Sequence, residues 1–372
     1  MLKVLFAFGT RPEAIKMAPV IAELRRRSSE FTFKVCVTAQ HREMLDDVLD
    51  LFDINPDYDL DIMVEAQSPS HVTAAVHNKL EGILTDDRPD WLLVQGDTTT
   101  TMASAMTAFF SRVQVGHIEA GLRTGNKWQP FPEEVNRRVA DLVADLHFAP
   151  TQRAHANLIS EGVAPKDALV TGNTGIDALL DAAQRDFNPR GTALENLEGG
   201  RRLILLTCHR RESFGRPLQN ICTAVAKIAQ MYRDDVQIIY PVHPNPEVTV
   251  PVRDMLGDVP NILLLPPVDY LSLVQLMKRS YLILTDSGGI QEEAPSLGVP
   301  VLVLREMTER PEGVEAGAAK LVGSDETVII AESTRLLEDS EEYERMSKVT
   351  NPYGDGGASA RIADALLDRS NS

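Results

Sequence analysis

The feature that most constrains the fold is an alternation of short apolar runs with segments of helical periodicity along the whole chain. Such runs are typical of strands buried in a parallel sheet that helices cover on both faces. In the first half of the chain the runs are Val4–Phe8, Phe33–Val37, Trp91–Val94, Val113–Ile118 and His147–Ala149. In the second half they are Leu203–Leu206, Val236–Tyr240, Ile262–Leu265, Tyr281–Leu284 and Val299–Leu304.

Segments with helical spacing separate these runs. One example has apolar residues at i, i+3, i+4, i+7 and i+8, namely Met102, Ala105, Met106, Phe109 and Phe110. We expect Pro132 and Pro217 to occupy first turns of helices, where proline needs no backbone donor. Ser359–Leu367 has helical spacing again and predicts a last helix.

A chain of 372 residues holds about two to three domains, and two is the simplest division. We therefore expect an α/β protein with two Rossmann-like domains, residues 1–170 and 171–356, whose parallel sheets face a cleft. The polar segment Asp186–Arg202 is then an excursion near the domain junction. Ligands are expected at the carboxyl ends of the strands.

The net charge of −17 argues against nucleic acid and anionic membranes as partners. No apolar run approaches the ~20 residues that span a bilayer, and the N-terminus reads as a buried strand rather than a signal peptide. Cys36, Cys208 and Cys222 form no CxxC pair, so neither a disulfide framework nor a zinc site is indicated. We expect a cytoplasmic protein without a metal site.

The first candidate site follows the first strand, in the segment Gly9–Lys16. Gly9 permits a tight turn, Pro12 begins a helix, and Arg11 and Lys16 bring two cations to its first turns. A helix N-terminus favours anions, so two cations there make sense if a phosphate lies between them. A solvated basic turn is the alternative, and the segment matches neither the Walker A nor the GxGxxG motif.

Three carboxylates come next in the first half. Asp97 follows a strand, where it either caps the helix expected at Thr98 or takes part in sugar binding or proton transfer. Glu119 closes the strand VGHIE, and Glu133 lies with Asn136 and Arg137 on one helix face. The opposite face of that helix carries an apolar stripe formed by Val135, Val139, Leu142, Val143 and Leu146. The alternative for Glu133 and Arg137 is a solvent-exposed ion pair.

In the second half, His209 follows a strand and precedes Arg210 and Arg211. We expect these arginines to lower the pKa of His209 unless a carboxylate or phosphate lies nearby. A bound phosphate would make His209 a phosphate clamp or a proton donor, and a purely structural histidine is the alternative. His243 ends the next strand, in PVHPNP.

The most specific pattern is a strand followed by Asp286 and Ser287-Gly288-Gly289 at the start of a helix. Backbone N–H groups and a serine hydroxyl at such a position form a phosphate cradle, although an incidental Gly-Gly turn is the alternative. Glu292, about one turn further on, is placed to accept hydrogen bonds from a ribose diol. Arg310 adds a cation after the following strand.

These motifs together resemble the non-hydrolysing UDP-N-acetylglucosamine 2-epimerases of bacteria. The resemblance runs from Val4 to the segment NPYGDG at Asn351–Gly356. It rests on FGTRPEAIKMAPV, TAQHREML, GDTTTTMA, GHIEAGLRTG, PEEVNRR, TGNTGIDAL, HRRESFG, DSGGIQEEAPSLGVPVLVLR and TERPEGVEAG.

The resemblance implies the two-domain glycosyltransferase-B architecture, with the last helix, residues 357–370, packed back on the N-terminal domain. It implies a homodimer that interconverts UDP-N-acetylglucosamine (UDP-GlcNAc) and UDP-N-acetylmannosamine (UDP-ManNAc) without a redox cofactor or catalytic metal. In the family's reaction, UDP is eliminated across C1–C2 to give 2-acetamidoglucal and is then added back, with protonation of the opposite face. The product would supply cell-surface polysaccharide synthesis.

The roles of residues follow from the same resemblance. The acid/base set at the sugar would be Asp97, Glu119 and Glu133, with Arg137 orienting Glu133 or a phosphate. Residues that hold UDP would be Arg11, His209, Ser287, Gly288, Gly289 and Arg310. Lys16 would organise the charged centre, and Glu292 would bind the ribose.

A second UDP-GlcNAc activates many bacterial members, and the matching positions are Gln40, Glu43, Arg210, Glu212 and His243. Glu43 departs from the glutamine of some members, which bears on the strength of this regulation. Three other functions stay open: a hydrolysing epimerase, a glycosyltransferase of the same fold and a catalytically silent nucleotide-sugar sensor.

Overall fold

A computed structural model of the chain describes residues 1–38, 42–64, 67–192, 194–195, 197 and 200–370. The chain divides into two compact units. The first unit comprises Met1–Ala178 and Gly354–Ser372, and the second comprises Leu179–Tyr353. Each unit is built on one parallel sheet.

The sheet of the first unit has the strand order β3-β2-β1-β4-β5-β6-β7. Its strands are β1 Leu2–Phe8, β2 Phe31–Val37, β3 Tyr58–Asp59, β4 Trp91–Gln95, β5 Gln114–Ile118, β6 Leu146–Ala149 and β7 Ala168–Val170. The helices between them are α1 Arg11–Arg26, α2 Arg42–Leu51, α3 Pro69–Asp87, α4 Thr99–Phe110, α5 Glu133–Val143 and α6 Gln152–Ser160. Helix α7 (Thr174–Gln184) runs from the first unit into the second.

The sheet of the second unit has the order β10-β9-β8-β11-β12-β13. Its strands are β8 Arg202–Thr207, β9 Val236–Pro241, β10 Ile262–Leu265, β11 Ser280–Thr285, β12 Val301–Val303 and β13 Ala319–Leu321. The helices are α8 Arg216–Met231, α9 Pro246–Leu256, α10 Tyr270–Arg279, α11 Gly288–Glu293, α12 Pro311–Ala316, α13 Glu326–Glu338 and α14 Ser340–Ser347. The last helix, α15 (Ala358–Ser370), belongs to the first unit.

Strand β1 shows how the first sheet is buried on both faces. Val4 and Phe6 pack into a core that also contains α1 and, through Ile362 and Leu366, helix α15. Leu5, the residue between them, belongs to a second core that includes side chains of α3 and α4. Alternate side chains of one strand therefore enter two hydrophobic layers, which is why the sequence reads as a continuous apolar run.

The predicted α/β class with two Rossmann-like parallel sheets is confirmed, and each of the ten predicted runs overlaps a strand. Sequence reasoning missed β3, β7 and β13. Each of these has only two or three residues and lies at the edge of its sheet, so it produces no apolar run. Pro217 lies in the first turn of α8 as predicted, whereas Pro132 directly precedes α5 as its N-cap.

Among the described residues, no helix has both the length and the apolar character needed to cross a membrane. The described part of the chain also holds no group of three or more His, Cys, Asp or Glu side chains suited to a metal ion.

Candidate functional site

In each sheet the chain first adds strands on one side of its first strand and then adds the remaining strands on the other side. In the first unit the change of side lies between β1 and β4, and in the second between β8 and β11. Open α/β sheets bind ligands beyond the carboxyl ends of strands at such a switch point. The loops that follow these four strands carry Arg11, Asp97, His209 and Ser287, all of which the sequence singled out.

We call the side chains beyond β1, β4 and β5, with those of the start of α5, the first-unit site. Its members are Arg11, Lys16, Gln95, Asp97, Glu119, Glu133 and Arg137. The side chains beyond β8 and β11, with Arg310, form the second-unit site. Its members are His209, Arg210, Asp286, Ser287, Gly288, Gly289, Glu292 and Arg310.

Glu13, which sequence reasoning left without a role, joins two loops of the first-unit site. Its Oε2 accepts the backbone N–H groups of Gly9 (3.0 Å) and Thr10 (2.7 Å). Its Oε1 accepts the hydroxyl groups of Thr98 (2.6 Å) and Thr101 (3.0 Å). Burial raises the pKa of Glu13, and these four donors oppose the rise. The carboxyl group thereby fixes the β1 loop to the β4 loop.

Asp97 is not a helix cap, contrary to one of the two predictions for it. Thr98 caps α4, because its hydroxyl accepts the backbone N–H of Thr101 at 3.1 Å. The Asp97 carboxylate instead forms an ion pair with Arg137, and the Asn136 amide donates to the Asp97 backbone carbonyl at 3.0 Å. The start of α5 therefore holds Asp97 by both its side chain and its backbone.

Helix α5 buries polar residues, and two residues of its apolar stripe are exposed. Asn136, Arg137 and Asp141 are buried, whereas Val135 and Leu142 are 43% and 83% exposed. These buried polar residues form ion pairs and hydrogen bonds, and such partners offset the cost of burying polar groups. The solvent-exposed ion pair offered as the alternative is therefore wrong. Leu146, assigned to the stripe, lies in β6 beyond the end of the helix.

Glu119 and Lys16 form an ion pair, which brings two predicted site residues together. The amide of Gln95 also donates to Glu119, with 2.7 Å between Nε2 and Oε2. Glu119 has a φ of 68°, a left-handed conformation that is unfavourable for a residue with a side chain. Strain of this kind costs about 1–3 kcal/mol and persists where surrounding contacts enforce it.

A buried ion pair lies behind these loops, between His117 and Asp141. His117 Nδ1 is 2.6 Å from Asp141 Oδ1, and His117 Nε2 is 2.7 Å from the carbonyl oxygen of Gly96. Both ring nitrogens face acceptors, so the geometry fits a doubly protonated ring. Burial lowers the pKa of His117, but Asp141 and the Gly96 carbonyl outweigh it and raise the pKa overall. The ring thereby holds the peptide that precedes Asp97.

Glu133 differs from the other two predicted carboxylates. Its Oε2 is buried and has no hydrogen-bond partner among the described residues. The neighbouring Glu134, to which the sequence gave no role, accepts backbone N–H groups of Thr124 (3.0 Å) and Gly125 (3.2 Å) and pairs with Arg137. Glu134 thus holds the loop before α5, and Glu133 keeps an oxygen for another partner.

Asp286 organises the second-unit site. It is fully buried, and its Oδ2 accepts the backbone N–H groups of His209 and Arg210 and the hydroxyl of Ser213, each at 2.9 Å. The pKa of His209 is lowered as predicted, but desolvation is the largest cause, ahead of the charges of His243 and Arg210. The Asp286 carboxylate opposes this shift.

Two arginines flank the Ser287-Gly288-Gly289 turn at the start of α11. A Cβ atom at Gly288 would lie 3.5 Å from Arg210 Nη2 and 3.9 Å from Arg310 Cζ. Arg310 also forms an ion pair with Glu292, so the residues predicted for phosphate and for ribose contact each other. A turn flanked by two guanidinium groups fits an anion cradle better than an incidental Gly-Gly turn.

The positions matching an activator site are only partly described. Gln40 and the side chain of Glu43 lie outside the described residues. His243 stacks on His209 with 5.7 Å between ring centroids, and Glu212 forms an ion pair with Arg305.

Sequence reasoning missed Gln95 and His117, yet both gave a signal. Each is a buried polar residue among apolar neighbours in a strand, at the end of WLLVQ and within QVGHI, and each lies beside a site loop. A polar group in a buried strand needs a partner, so such positions are candidates for holding a site. The sequence did not single out Asp141, because its partner His117 lies 24 residues away and their pairing depends on the fold.

A statistical model of a family described as UDP-N-acetylglucosamine 2-epimerase matches residues 22–367. A relative from Escherichia coli strain K12, named UDP-N-acetylglucosamine 2-epimerase, is 53% identical over 371 residues, which cover 98% of each chain. A Neisseria meningitidis UDP-GlcNAc 2-epimerase solved with bound UDP-GlcNAc is 48% identical, with a TM-score of 0.88 and coverage of 99% of this chain and 100% of the other.

A third similar protein is the Methanocaldococcus jannaschii UDP-GlcNAc 2-epimerase, solved in complex with UDP-GlcNAc and UDP. It is 33% identical, with a TM-score of 0.80, and the match covers 99% of this chain and 100% of that one. These similarities extend over nearly the whole chain, and they confirm the resemblance that the motifs indicated.

Proposed function

The chain belongs to the UDP-N-acetylglucosamine 2-epimerase family, and we propose that it interconverts UDP-GlcNAc and UDP-ManNAc without net hydrolysis. UDP leaves C1 as the proton leaves C2, which gives enzyme-bound 2-acetamidoglucal. UDP then adds back to C1 while C2 is protonated from the opposite face. The product would supply ManNAc-type precursors for cell-surface polysaccharide.

The observation that carries this proposal is the pairing of carboxylates with cations at the first-unit switch point. Asp97, after β4, pairs with Arg137, and Glu119, after β5, pairs with Lys16. The C2 proton is not adjacent to a carbonyl group, so its removal needs carboxylates held in place while a leaving group departs. Glu133 adds a third carboxylate with a buried, unpartnered oxygen within the described residues. Together they supply acid and base groups.

The second-unit site is suited to retain UDP while it is detached from the sugar. Backbone N–H groups at Ser287-Gly288-Gly289 and the guanidinium groups of Arg210 and Arg310 would hold the diphosphate. Glu292 would accept the ribose hydroxyls beside Arg310. His209, held by Asp286, would contact the diphosphate, donate a proton to its oxygen as the C1–O bond breaks, and take that proton back when UDP adds again.

Arg11 is proposed to bind a phosphate group of UDP. It lies at the start of α1 and has no ion-pair or hydrogen-bond partner among the described residues. A helix N-terminus and an available guanidinium together favour a phosphate group.

We also propose a homodimer, supported by apolar side chains left exposed on α4 and α5. Phe109 and Phe110 at the end of α4 are 55% and 66% exposed, and Leu142 of α5 is 83% exposed. A second copy of the chain would cover this surface. Activation by a second UDP-GlcNAc through Arg210, Glu212 and His243, with Gln40 and Glu43, is proposed from the family resemblance.

Incubation with UDP-GlcNAc in D2O, followed by NMR without an acceptor, tests the reaction. We expect UDP-GlcNAc and UDP-ManNAc at equilibrium, both with deuterium at C2. Net formation of UDP and free ManNAc would instead identify a hydrolysing epimerase. No reaction without an acceptor would favour a glycosyltransferase or a sensor.

Two substitutions test the carboxylate roles. Asp97→Asn and Glu119→Gln are expected to lower deuterium exchange at C2 by at least a hundredfold while UDP binding, measured by calorimetry, changes little. Glu81→Gln, the same chemical change on the exposed face of α3, is the control and should leave both unchanged. Full exchange in either site variant would contradict the acid/base assignment.

A further inference from the structure

Gln95 is the last residue of β4 and lies directly beside Glu119. Strand β4 pairs with β5 in a register that places Gln95 opposite Ile118, the residue before Glu119. The Gln95 carbonyl accepts the Thr101 hydroxyl at 2.6 Å, and Gly96 N–H donates to the Ile118 carbonyl at 2.9 Å. The backbone on both sides of the side chain is therefore fixed, and Gln95 itself is 2% exposed.

A buried amide needs a hydrogen-bond partner wherever it lies. The partner of Gln95 is unusual, because it is a carboxylate that already has a cation. Gln95 Nε2 donates to Glu119 Oε2 at 2.7 Å, and the Lys16 ammonium group contacts the same oxygen. Within the described part of the chain, no residue donates to Glu119 Oε1.

Two donors on one oxygen fix the rotation of the carboxylate. Glu119 also holds a left-handed backbone conformation, with a φ of 68°, which surrounding contacts must enforce. Lys16 comes from α1 and Gln95 from β4, so two separate elements set the position of one carboxylate. The oxygen without a donor is then presented in a single direction.

We propose that Gln95 is a positioning residue: with Lys16 it holds Glu119 by Oε2, so that Oε1 is the oxygen that exchanges a proton with C2 of the sugar. This inference rests on the proposed function. When Glu119 acts as the base, the proton moves from C2 to Oε1, and the C2–H electron pair forms the C1=C2 bond. UDP leaves with the C1–O electron pair, and the reverse step returns the proton from Oε1.

The test replaces the amide without changing the size of the side chain. Gln95→Met keeps a similar length and volume and has no donor. We expect kcat to fall at least tenfold, because a carboxylate held by one donor is misplaced for proton transfer, while KM and the UDP dissociation constant stay within threefold. The primary isotope effect on kcat/KM with UDP-GlcNAc deuterated at C2 is expected to rise, because cleavage of the C2–H bond becomes more rate-limiting.

Two further variants separate positioning from packing. Gln95→His supplies a ring N–H in place of the amide and is expected to recover kcat to within threefold of the wild type. Gln237→Met is the matched control, a buried glutamine near the amino end of β9 in the second unit. It should leave kcat and the isotope effect unchanged. If Gln95→Met does not fold, Gln95→Leu takes its place, because its side chain is smaller and also has no donor.

Three results would overturn the role of Gln95. The first is a kcat of Gln95→Met above a third of the wild-type value, and the second is a fall in the kcat of Gln95→Met with an unchanged isotope effect. The third is a fall in the kcat of Gln95→His as large as that of Gln95→Met. A wild-type protein that does not exchange hydrogen at C2 contradicts the proposed function itself. Wild-type exchange with an unaffected Gln95→Met contradicts only the role of Gln95.

Discussion

The buried pair of His117 and Asp141 gives a prediction with a defined pH dependence. Asp141 Oδ1 lies 2.6 Å from His117 Nδ1, and Asp141 Oδ2 accepts from Arg123 at 2.7 Å and from Gly121 N–H at 3.2 Å. The exposed fractions of the His117 and Asp141 side chains are 0% and 4%, so solvent screens the pair very little. The perturbation is Asp141→Asn, which keeps the size of the side chain and removes its charge.

The magnitude follows from the pKa of Asp141. Burial raises this pKa, but His117 and Arg123 outweigh burial and hold it at about 2. A carboxyl group ordinarily titrates near pH 4, so the shift of roughly two units corresponds to about 2–3 kcal/mol of stability. Removing one member of a buried ion pair typically costs about 3–5 kcal/mol. We expect Asp141→Asn to lower the free energy of unfolding by about 3 kcal/mol.

The pH window has two limits. The pKa of Asp141 is lowered in the folded state, so its stabilisation is present above about pH 4 and is lost as pH falls through about 2. The pKa of His117 is raised, so its stabilisation is present below about pH 6.5 and is lost as pH rises through the folded-state pKa. The difference between wild type and Asp141→Asn should therefore be largest between about pH 4 and pH 6.5.

Calorimetric melting of the purified protein at several pH values measures this effect. A loss of about 3 kcal/mol corresponds to roughly 6–12 °C for a unit of this size. A separate melting transition of the second unit, where resolved, is the internal control and should not move. A difference of less than 1 kcal/mol at pH 5.5, or one that does not change between pH 5.5 and pH 9, would refute the assignment of a charged buried pair.

Two further predictions concern the proposed diphosphate cradle and the proposed dimer. Gly288→Ala is expected to raise the UDP dissociation constant about tenfold in calorimetry, because its Cβ would stand 3.5 Å from one guanidinium group and 3.9 Å from another, where the anion would lie. Gly82→Ala, in α3 with open space around it, is the control for the added methyl group, and an unchanged constant in Gly288→Ala would contradict the cradle. Leu142→Glu is expected to convert a dimer to a monomer in sedimentation, because a charge would enter the proposed interface. Met231→Glu, an exposed apolar residue of α8 in the other unit, should leave the dimer intact, and a dimeric Leu142→Glu would exclude this surface.

The fold could be predicted because the central strands of both sheets are buried on both faces. Phe6 and Leu5 of β1 enter opposite cores, so the strand has no polar alternation and stands out as an apolar run. The edge strands could not be found in this way. Strand β3, for example, pairs with β2 through only Cys36↔Tyr58 and Val37↔Asp59, and two residues carry no periodicity.

The orientation of α5 shows the limit of amphipathic patterns. Hydrophobic periodicity gives two faces, and the apolar face is ordinarily the buried one. The buried face of α5 meets two polar partners. Asp97 pairs with Arg137, and His117 pairs with Asp141. A polar face can be buried when the groups opposite it complete its hydrogen bonds, and those groups come from distant parts of the sequence.

The candidate residues could be identified by their place after strands, but their contacts could not. Asp97, two residues after β4, was also a candidate cap for α4, and only the structure shows that Thr98 is the cap. Its actual partner, Arg137, is 40 residues away. Lys16 and Glu119 are 103 residues apart. Pairing over such distances depends on the strand order, and the strand order could not be inferred from this sequence alone.

These contacts make the three candidate carboxylates unequal. Asp97 and Glu119 are each held by a cation, and additional donors hold the backbone of Asp97 and the side chain of Glu119. Glu133 has a buried oxygen without a hydrogen-bond partner among the described residues. A group that must remain in place while a diphosphate leaves benefits from fixed partners, whereas a group that completes its hydrogen bonds on the substrate needs an open oxygen. The proposed anionic ligand would thus meet cations that carboxylates already position, and Oε1 of Glu119 and Oε2 of Glu133 are oxygens without a donor among the described residues that could contact the sugar.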